Sequence, residues 1–230
     1  MIRLFLCYMF LTAAVAKAFK RYGNHRTTKQ GTPLHVMLSY QLISVSTVFF
    51  LMYLGWTGWM YDPPLEDRIH GYSPTVDTLT RTMATFQVWN VLMCMYIAEY
   101  RTIPSLLHHV GAIFVPVLGM EPCLHAYTYF YLGISETSTL PLYIIDTAKY
   151  VPVPEPVVYA SKIAFVILFM LLRVVVWSGA NLMVAYDMFR ANAFHGTPRI
   201  LVMLQIALTI LQYYWAYQIV QEVKKDRRRV

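Results

Sequence analysis

Charge is scarce in this sequence. Only 13% of its 230 residues are Asp, Glu, Lys or Arg, about half the roughly 25% typical of soluble domains. Against 57% hydrophobic residues and a mean hydropathy of +0.45, this scarcity excludes water as the solvent for most of the surface and points to a bilayer. Cysteine is limited to Cys7, Cys94 and Cys123, with no C-x-x-C spacing. That pattern offers no redox or zinc framework, and all three read as small buried hydrophobes. No nucleic-acid-binding motif accompanies the net charge of +7, so no nucleic-acid partner is expected. The basic residues read instead as topology signals and contacts with anionic lipid. Internal repeats and low-complexity tracts are also lacking.

What is present is a series of seven apolar segments, near 4–18, 35–56, 80–98, 102–119, 124–145, 157–186 and 200–221. Most approach the roughly 20 residues that cross a hydrocarbon core. The expected fold class is therefore all-α membrane, with seven transmembrane helices. The organisation expected is a signal-anchor span and basic loop over 1–33, a six-helix membrane domain over 34–222 and a basic cytosolic tail over 223–230. The first segment is short and has a signal-peptide look. No acidic residue precedes Asp62, as in mitochondrial presequences, but a retained anchor is the reading adopted. Prolines 33, 63, 64, 74, 104, 122, 152, 154, 156 and 198 sit at segment edges, where helices tolerate them. Pro116 and Pro141 fall inside and predict kinks. With seven spans, thirteen Lys and Arg residues lie on the side of the C-terminus and five on the other. The positive-inside rule then puts the C-terminus in the cytosol.

Ionisable groups inside such segments cost on the order of 2.5–3.5 kcal/mol each to insert, so they usually face a protein interior or a wet cavity. His108, His109, Glu136 and Arg173 are the candidates, with Asn90 as a polar companion. At about 1.5 Å of rise per residue, His108 and His109 lie roughly 9–11 Å from the basic side, Asn90 roughly 12 Å and Glu136 roughly 15 Å. Arg173 comes out deeper, at roughly 20 Å or more. Adjacent histidines point about 100° apart, and a zinc helix wants histidines four apart; positions 104 and 112 are Pro and Ala. No metal is expected. One imidazole is expected to face a cavity and the other to bond a neighbouring helix, with Ser105 as a candidate partner. Polar bonds between spans that hold the bundle together, at about 0.6 kcal/mol each, are the structural alternative to proton chemistry by histidine.

Several ordered pieces resemble the TLC-domain family, which includes ceramide synthases and the translocating-chain-associating membrane protein. They are Asp62–Pro74 (DPPLEDRIHGYSP), PSLLHHVGAI with its paired His108 and His109, GISETSTLPLY with Glu136, Ser138 and Thr139, FMLLRVVV with Arg173, and QYYWAYQIV. The match covers about 62–222. It implies a six-helix bundle around a lipid-sized cavity, preceded by one extra span. In ceramide synthases it implies acyl transfer from acyl-CoA to a sphingoid amine, with the paired histidines in the site. Ceramide synthases carry further acidic residues after the histidines. Here Gly133–Ser138 (GISETS) stands in their place with Glu136 alone, and Asn90 stands where an aspartate is common. The sequence is thus closer to the smaller TLC-domain proteins.

The function expected is lipid handling: binding, sensing or modification of an acyl chain. His108 or His109 would serve as base or polar anchor, with Glu136 as orienting partner. Asn90, Ser138 and Arg173 would be polar groups of the cavity, and acyl-CoA the cosubstrate if the chemistry is acyl transfer. The alternative is a non-catalytic accessory subunit of a larger membrane complex. The endoplasmic reticulum is the expected location, with the mitochondrial inner membrane as the counterpart of the accessory reading. Membrane lipids, and other membrane subunits under the alternative, are the expected partners.

Overall fold

A computed structural model describes residues 1–22, 26–59 and 65–227. His25, Asp62, Pro63, Pro64, Arg228 and Arg229 lie outside the described residues. The described chain is helical apart from short connections and one isolated bridge between Thr27 and Pro33. The helices are α1 (Ile2–Tyr22), α2 (Leu34–Trp59), the short α3 (Leu65–His70), α4 (Pro74–Tyr96) and α5 (Ile103–Leu118). A broken run follows: α6 (His125–Thr128), a π turn (Tyr129–Gly133), a 3-10 segment (Ile134–Ser138) and α7 (Thr139–Thr147). Then α8 (Glu155–Leu168) passes through a π segment (Phe169–Val176) into α9 (Trp177–Arg190), and α10 (Gly196–Arg227) ends the chain.

Local chemistry sets these ends. Ser73 caps α4, its Oγ accepting from the Val76 amide at 3.4 Å, and Pro74 takes the first helical position. A proline there loses nothing, because its missing N–H would have no partner anyway. Thr102 caps α5 in the same way through the Ser105 amide. Helix α4 starts six residues before the apolar segment expected near 80. Asp77 and Arg81 dilute its first turns, but they form an i,i+4 ion pair at 2.8 Å that suits a helix. Pro141 sits in the first turn of α7, where it is tolerated, and the helix preceding it breaks into 3-10 geometry.

Among the described residues, four helical stretches are long and apolar enough to cross a bilayer: Ile2–Arg21, Leu34–Trp59, Glu155–Arg190 and Gly196–Lys225. The other apolar segments found in the sequence are helical too, but α5 has 16 residues, α4 is diluted by threonine and amide side chains, and the run over 125–147 is interrupted.

Six helical runs close into a ring. α2 touches α4, α4 touches α5, and α5 touches α10; α10 then meets α9 and its π segment, α8 meets α7, and the broken run returns to α2. α1 lies outside this ring, packed on α2 and α4. Its Tyr8 stacks on Trp89 at 5.6 Å and bonds Thr47 of α2. Cys7 is exposed, whereas Cys94 and Cys123 are buried. The reading of Cys7 as a buried hydrophobe is thus corrected: it sits on a helix with one packed face.

Two close contacts hold the broken run to α2. A methyl group built on Gly55 would lie 2.6 Å from the Gly133 Cα, and one on Gly58 would overlap the Tyr129 ring. Only glycine lets two backbones approach this far. At one end of the ring a buried ion pair, Arg68 Nε to Asp187 at 2.6 Å, pins α3 to α9, and the Tyr127 hydroxyl donates to the same carboxylate. His125, 2% exposed, accepts from the Ser73 amide at Nδ1 and donates from Nε2 toward the carbonyls of Gly119 and Glu121. Asp187 and His125 lie near helix ends, where an exposed position is the default. Both instead serve as buried joints. At the other end the Thr32 hydroxyl donates to Glu99 at 2.6 Å and ties the α1–α2 connection to the turn after α4.

Candidate functional site

The ring surrounds a partly open cavity of about 450 Å³, lined mainly by apolar surface. Small-molecule sites commonly span roughly 300–1,000 Å³. Asn90, His108, His109, Glu136, Ser138 and Arg173 all line it. They come from four different runs, so the convergence is a product of the fold and not of sequence adjacency.

Helix α4 contributes Gln87 and Asn90, three residues apart and on one buried face. The Tyr40 hydroxyl of α2 donates to Asn90 Oδ1 at 3.1 Å, and Asn90 Nδ2 donates to Gln87 Oε1 at 3.5 Å. The same Gln87 oxygen lies 2.7 Å from His109 Nδ1. An amide oxygen only accepts, so His109 carries its proton on Nδ1. As a neutral imidazole it keeps a lone pair on Nε2, which no hydrogen bond engages among the described residues. A neutral imidazole held in one tautomer with a free nitrogen is the form that accepts a proton or anchors a hydroxyl. Ser105, the partner suggested by sequence, bonds elsewhere: its Oγ lies 3.8 Å from Cys94 Sγ.

His108 points away from Gln87 and packs edge-on against Trp215 of α10, with ring centroids 4.8 Å apart. Its Nδ1 is buried with no hydrogen-bond partner. Of the expected division one half is seen: His109 bonds a neighbouring helix, through Gln87 of α4. Both histidines line the cavity, their centroids 5.2 Å apart.

Glu136 does not reach a histidine. The Arg173 guanidinium donates to it at 2.8 Å, to Ser138 Oγ at 3.2 Å and to Thr139 Oγ1 at 3.3 Å, and Thr139 also donates to the Glu136 carboxylate at 2.9 Å. A full positive charge out-competes a neutral imidazole for a buried carboxylate. Straight-helix counting set Arg173 deeper than the other polar groups. It lies in a π segment, whose wide turn alters which residues face inward, and this turn brings it to Glu136 in the neighbouring 3-10 segment.

Sequence reasoning missed several polar lining groups, Gln87, Gln212 and Asp146 among them. Gln87 and Gln212 are uncharged amides inside apolar runs, where they barely depress hydropathy. Their one signal is spacing: Gln87 is one helical turn from Asn90, and Gln212 stands seven residues from Gln205 on one face of α10. Asp146 stands at the end of α7, where a carboxylate is ordinary, but it lines the cavity. There Gln41 Nε2 donates to it at 2.6 Å, Lys149 donates at 2.6 Å, and the Tyr100 hydroxyl donates as well.

The chamber thus combines apolar walls from Phe86, Leu142, Phe165 and Phe169, a fixed neutral histidine, and an internally neutralised ion pair. In comparisons with known proteins, residues 34–221 match a family model described as the TLC domain, the same stretch that forms the ring. No curated protein matches the sequence.

Proposed function

The chain belongs to the TLC-domain family, and from that premise we propose that it binds a long-chain lipid in the ring cavity and acts on or senses its polar head through His109. It crosses the bilayer seven times in this reading, with the six ring runs forming the lipid-holding bundle, α1 a peripheral anchor and the basic C-terminus in the cytosol. The endoplasmic reticulum is the proposed home. One observation carries the reading: a single largely apolar chamber collects Asn90, His108, His109, Glu136, Ser138 and Arg173, with His109 Nε2 left free. Buried polar groups in a membrane segment are costly. Hydrogen bonds within and between helices explain the Tyr40–Asn90–Gln87–His109 chain, but they do not explain a chamber of about 450 Å³ beside it. For a group-transfer reaction with acyl-CoA as the proposed donor, the free Nε2 takes the proton from an attacking hydroxyl or amine as its bond to the acyl carbonyl forms, and returns that proton to the departing CoA thiolate as the acyl–sulfur bond breaks. The Arg173–Glu136 pair then positions the 3-10 segment and stays out of the proton path.

The test compares the purified full chain with its His109→Ala and Gln87→Leu variants. The lipids that co-purify are identified by mass spectrometry, and assembly state is read on the same samples. The wild-type chain is expected to retain a defined long-chain lipid. His109→Ala is expected to lose or exchange it while the assembly state holds, and Gln87→Leu to weaken retention. An unchanged lipid complement in His109→Ala, together with loss of a larger assembly, sinks the reading in favour of an accessory role.

A further inference from the structure

A second, smaller chamber of about 220 Å³ lies among α5, α6 with its π turn, α9 and α10, and its lining is almost wholly apolar. Between it and the histidine chamber is a gap of about 30 Å³. The gap shares His108, Gln87 and Gln212 with the histidine chamber, and Val115, Tyr131 and Gln205 with the apolar one. The two chambers are therefore ends of one interior track.

The waist of this track has an unusual lining. His108 Nδ1, Gln205 Oε1 and Gln212 Oε1 are all buried without a hydrogen-bond partner. Gln205 is 8% exposed and Gln212 is 1% exposed. Half of the six orphaned buried side-chain atoms found among the described residues thus fall on this one small gap. Each unmet polar group in an apolar interior costs on the order of 1–3 kcal/mol, and such clusters call for an unseen partner. On α10 the two glutamines are seven residues apart, so they form a strip about 10 Å long on one face. The waist has room for one or two small polar groups.

We infer that the ligand is a long chain that threads both chambers and carries a hydrogen-bond donor, a hydroxyl or an amide N–H, part-way along its length, held at the waist by Gln205, Gln212 and His108. This inference rests on the lipid-binding reading and specifies the chemistry of its ligand. The orphaned glutamine oxygens are acceptors, and the imidazole nitrogen accepts in its other tautomer, so the unmet need at the waist is for a donor, which satisfies whichever of the three it reaches. A plain hydrocarbon crossing the waist leaves them unmet and displaces any water that met them. Selection for the donor follows from that difference.

The experiment binds two probes to the full chain in lipid nanodiscs: stearic acid, and stearic acid bearing a mid-chain hydroxyl. The wild-type chain is expected to bind the hydroxylated probe about tenfold more tightly. In Gln205→Leu and Gln212→Leu that preference is expected to fall towards unity, with stearic acid binding kept or improved. Thermal unfolding of the same samples checks folding; removing an orphaned amide is not expected to lower the midpoint. Should Gln212→Leu fail to fold, Gln205→Met and the wild-type probe pair still decide. Equal wild-type affinity for the two probes overturns the inference, leaves the lipid-binding reading intact and assigns the waist to water. A preference that survives both substitutions overturns it too. Binding of neither probe removes the inference and the lipid-binding reading together.

Discussion

Arg173 is the residue whose surroundings most constrain the site. Its side chain is 9% exposed and that of Glu136 is 14% exposed, so the pair is largely out of solvent. Removing one member of a buried pair strands the other charge and costs about 3–5 kcal/mol, whereas replacing both by apolar groups of similar volume is often neutral. Arg173→Met alone is therefore expected to lower the unfolding midpoint in detergent strongly, and Glu136→Gln less, because the glutamine still accepts from the guanidinium. The double variant Arg173→Met with Glu136→Leu should recover much of the loss. Near-additive losses in that double-mutant cycle would show that the two side chains do not act as a unit. At this scale the sequence was informative wherever cost was visible. His108, His109, Glu136 and Arg173 are charged or titratable groups in apolar runs, and their expense announces an interior. Gln87, Gln205 and Gln212 carry no such mark, although Gln87 sets the tautomer of His109 and the other two line the waist.

Among elements, the irregular helices matter most. The π turn over Tyr129–Gly133 and the 3-10 segment after it present Glu136 and Ser138, while the π segment over Phe169–Val176 presents Arg173. Hydrophobic periodicity assumes a constant turn, so it found both runs but not the pairing of Arg173 with Glu136. Pro141 did signal an irregularity, and the break precedes it as the steric demand of its ring requires. The π turn leans on α2 through the Gly55–Gly133 contact. Gly133→Ala and Gly55→Ala each place a methyl within 2.6 Å of opposing backbone. Backbone yields less readily than a side chain, so each is expected to destabilise by at least the roughly 1–3 kcal/mol typical of overpacking. Gly179→Ala is the control: its new methyl meets no neighbour within 4 Å, and helix propensity favours it by about 1 kcal/mol. Thermal midpoints of the three variants should separate cleanly. If Gly133→Ala matches Gly179→Ala, the crossing is looser than described.

For the whole molecule, the ring order explains why the apolar segments could be listed from sequence while their arrangement could not. Segment ends follow from prolines, caps and hydropathy, all of them local properties. Which runs touch depends on side chains such as Tyr8, Trp89 and Trp215 that look alike in a list. Membrane crossing tests the count directly. If all seven runs cross, reporters inserted after Lys29 and after Lys149 and fused to the C-terminus should share one side, and a reporter at Met1 should lie on the other. Protease protection in sealed microsomes reads the result. A reporter after Lys149 on the side opposite to the one after Lys29 would mean that either the broken run or α5 does not span, and that the ring sits partly in the interface.

The ring closes between α5 and α10, the third and last of its members in chain order. Synthesis proceeds from the N-terminus, so five walls are in place while the sixth is still being made. Until Gln205, Gln212 and Trp215 emerge from the ribosome, His108 and the interior track lie open to the side, facing the surrounding membrane. The last helix delivered is thus also the door. A lipid already resting in the groove would be enclosed as α10 docks, and the finished protein would not have to reopen to acquire its first occupant.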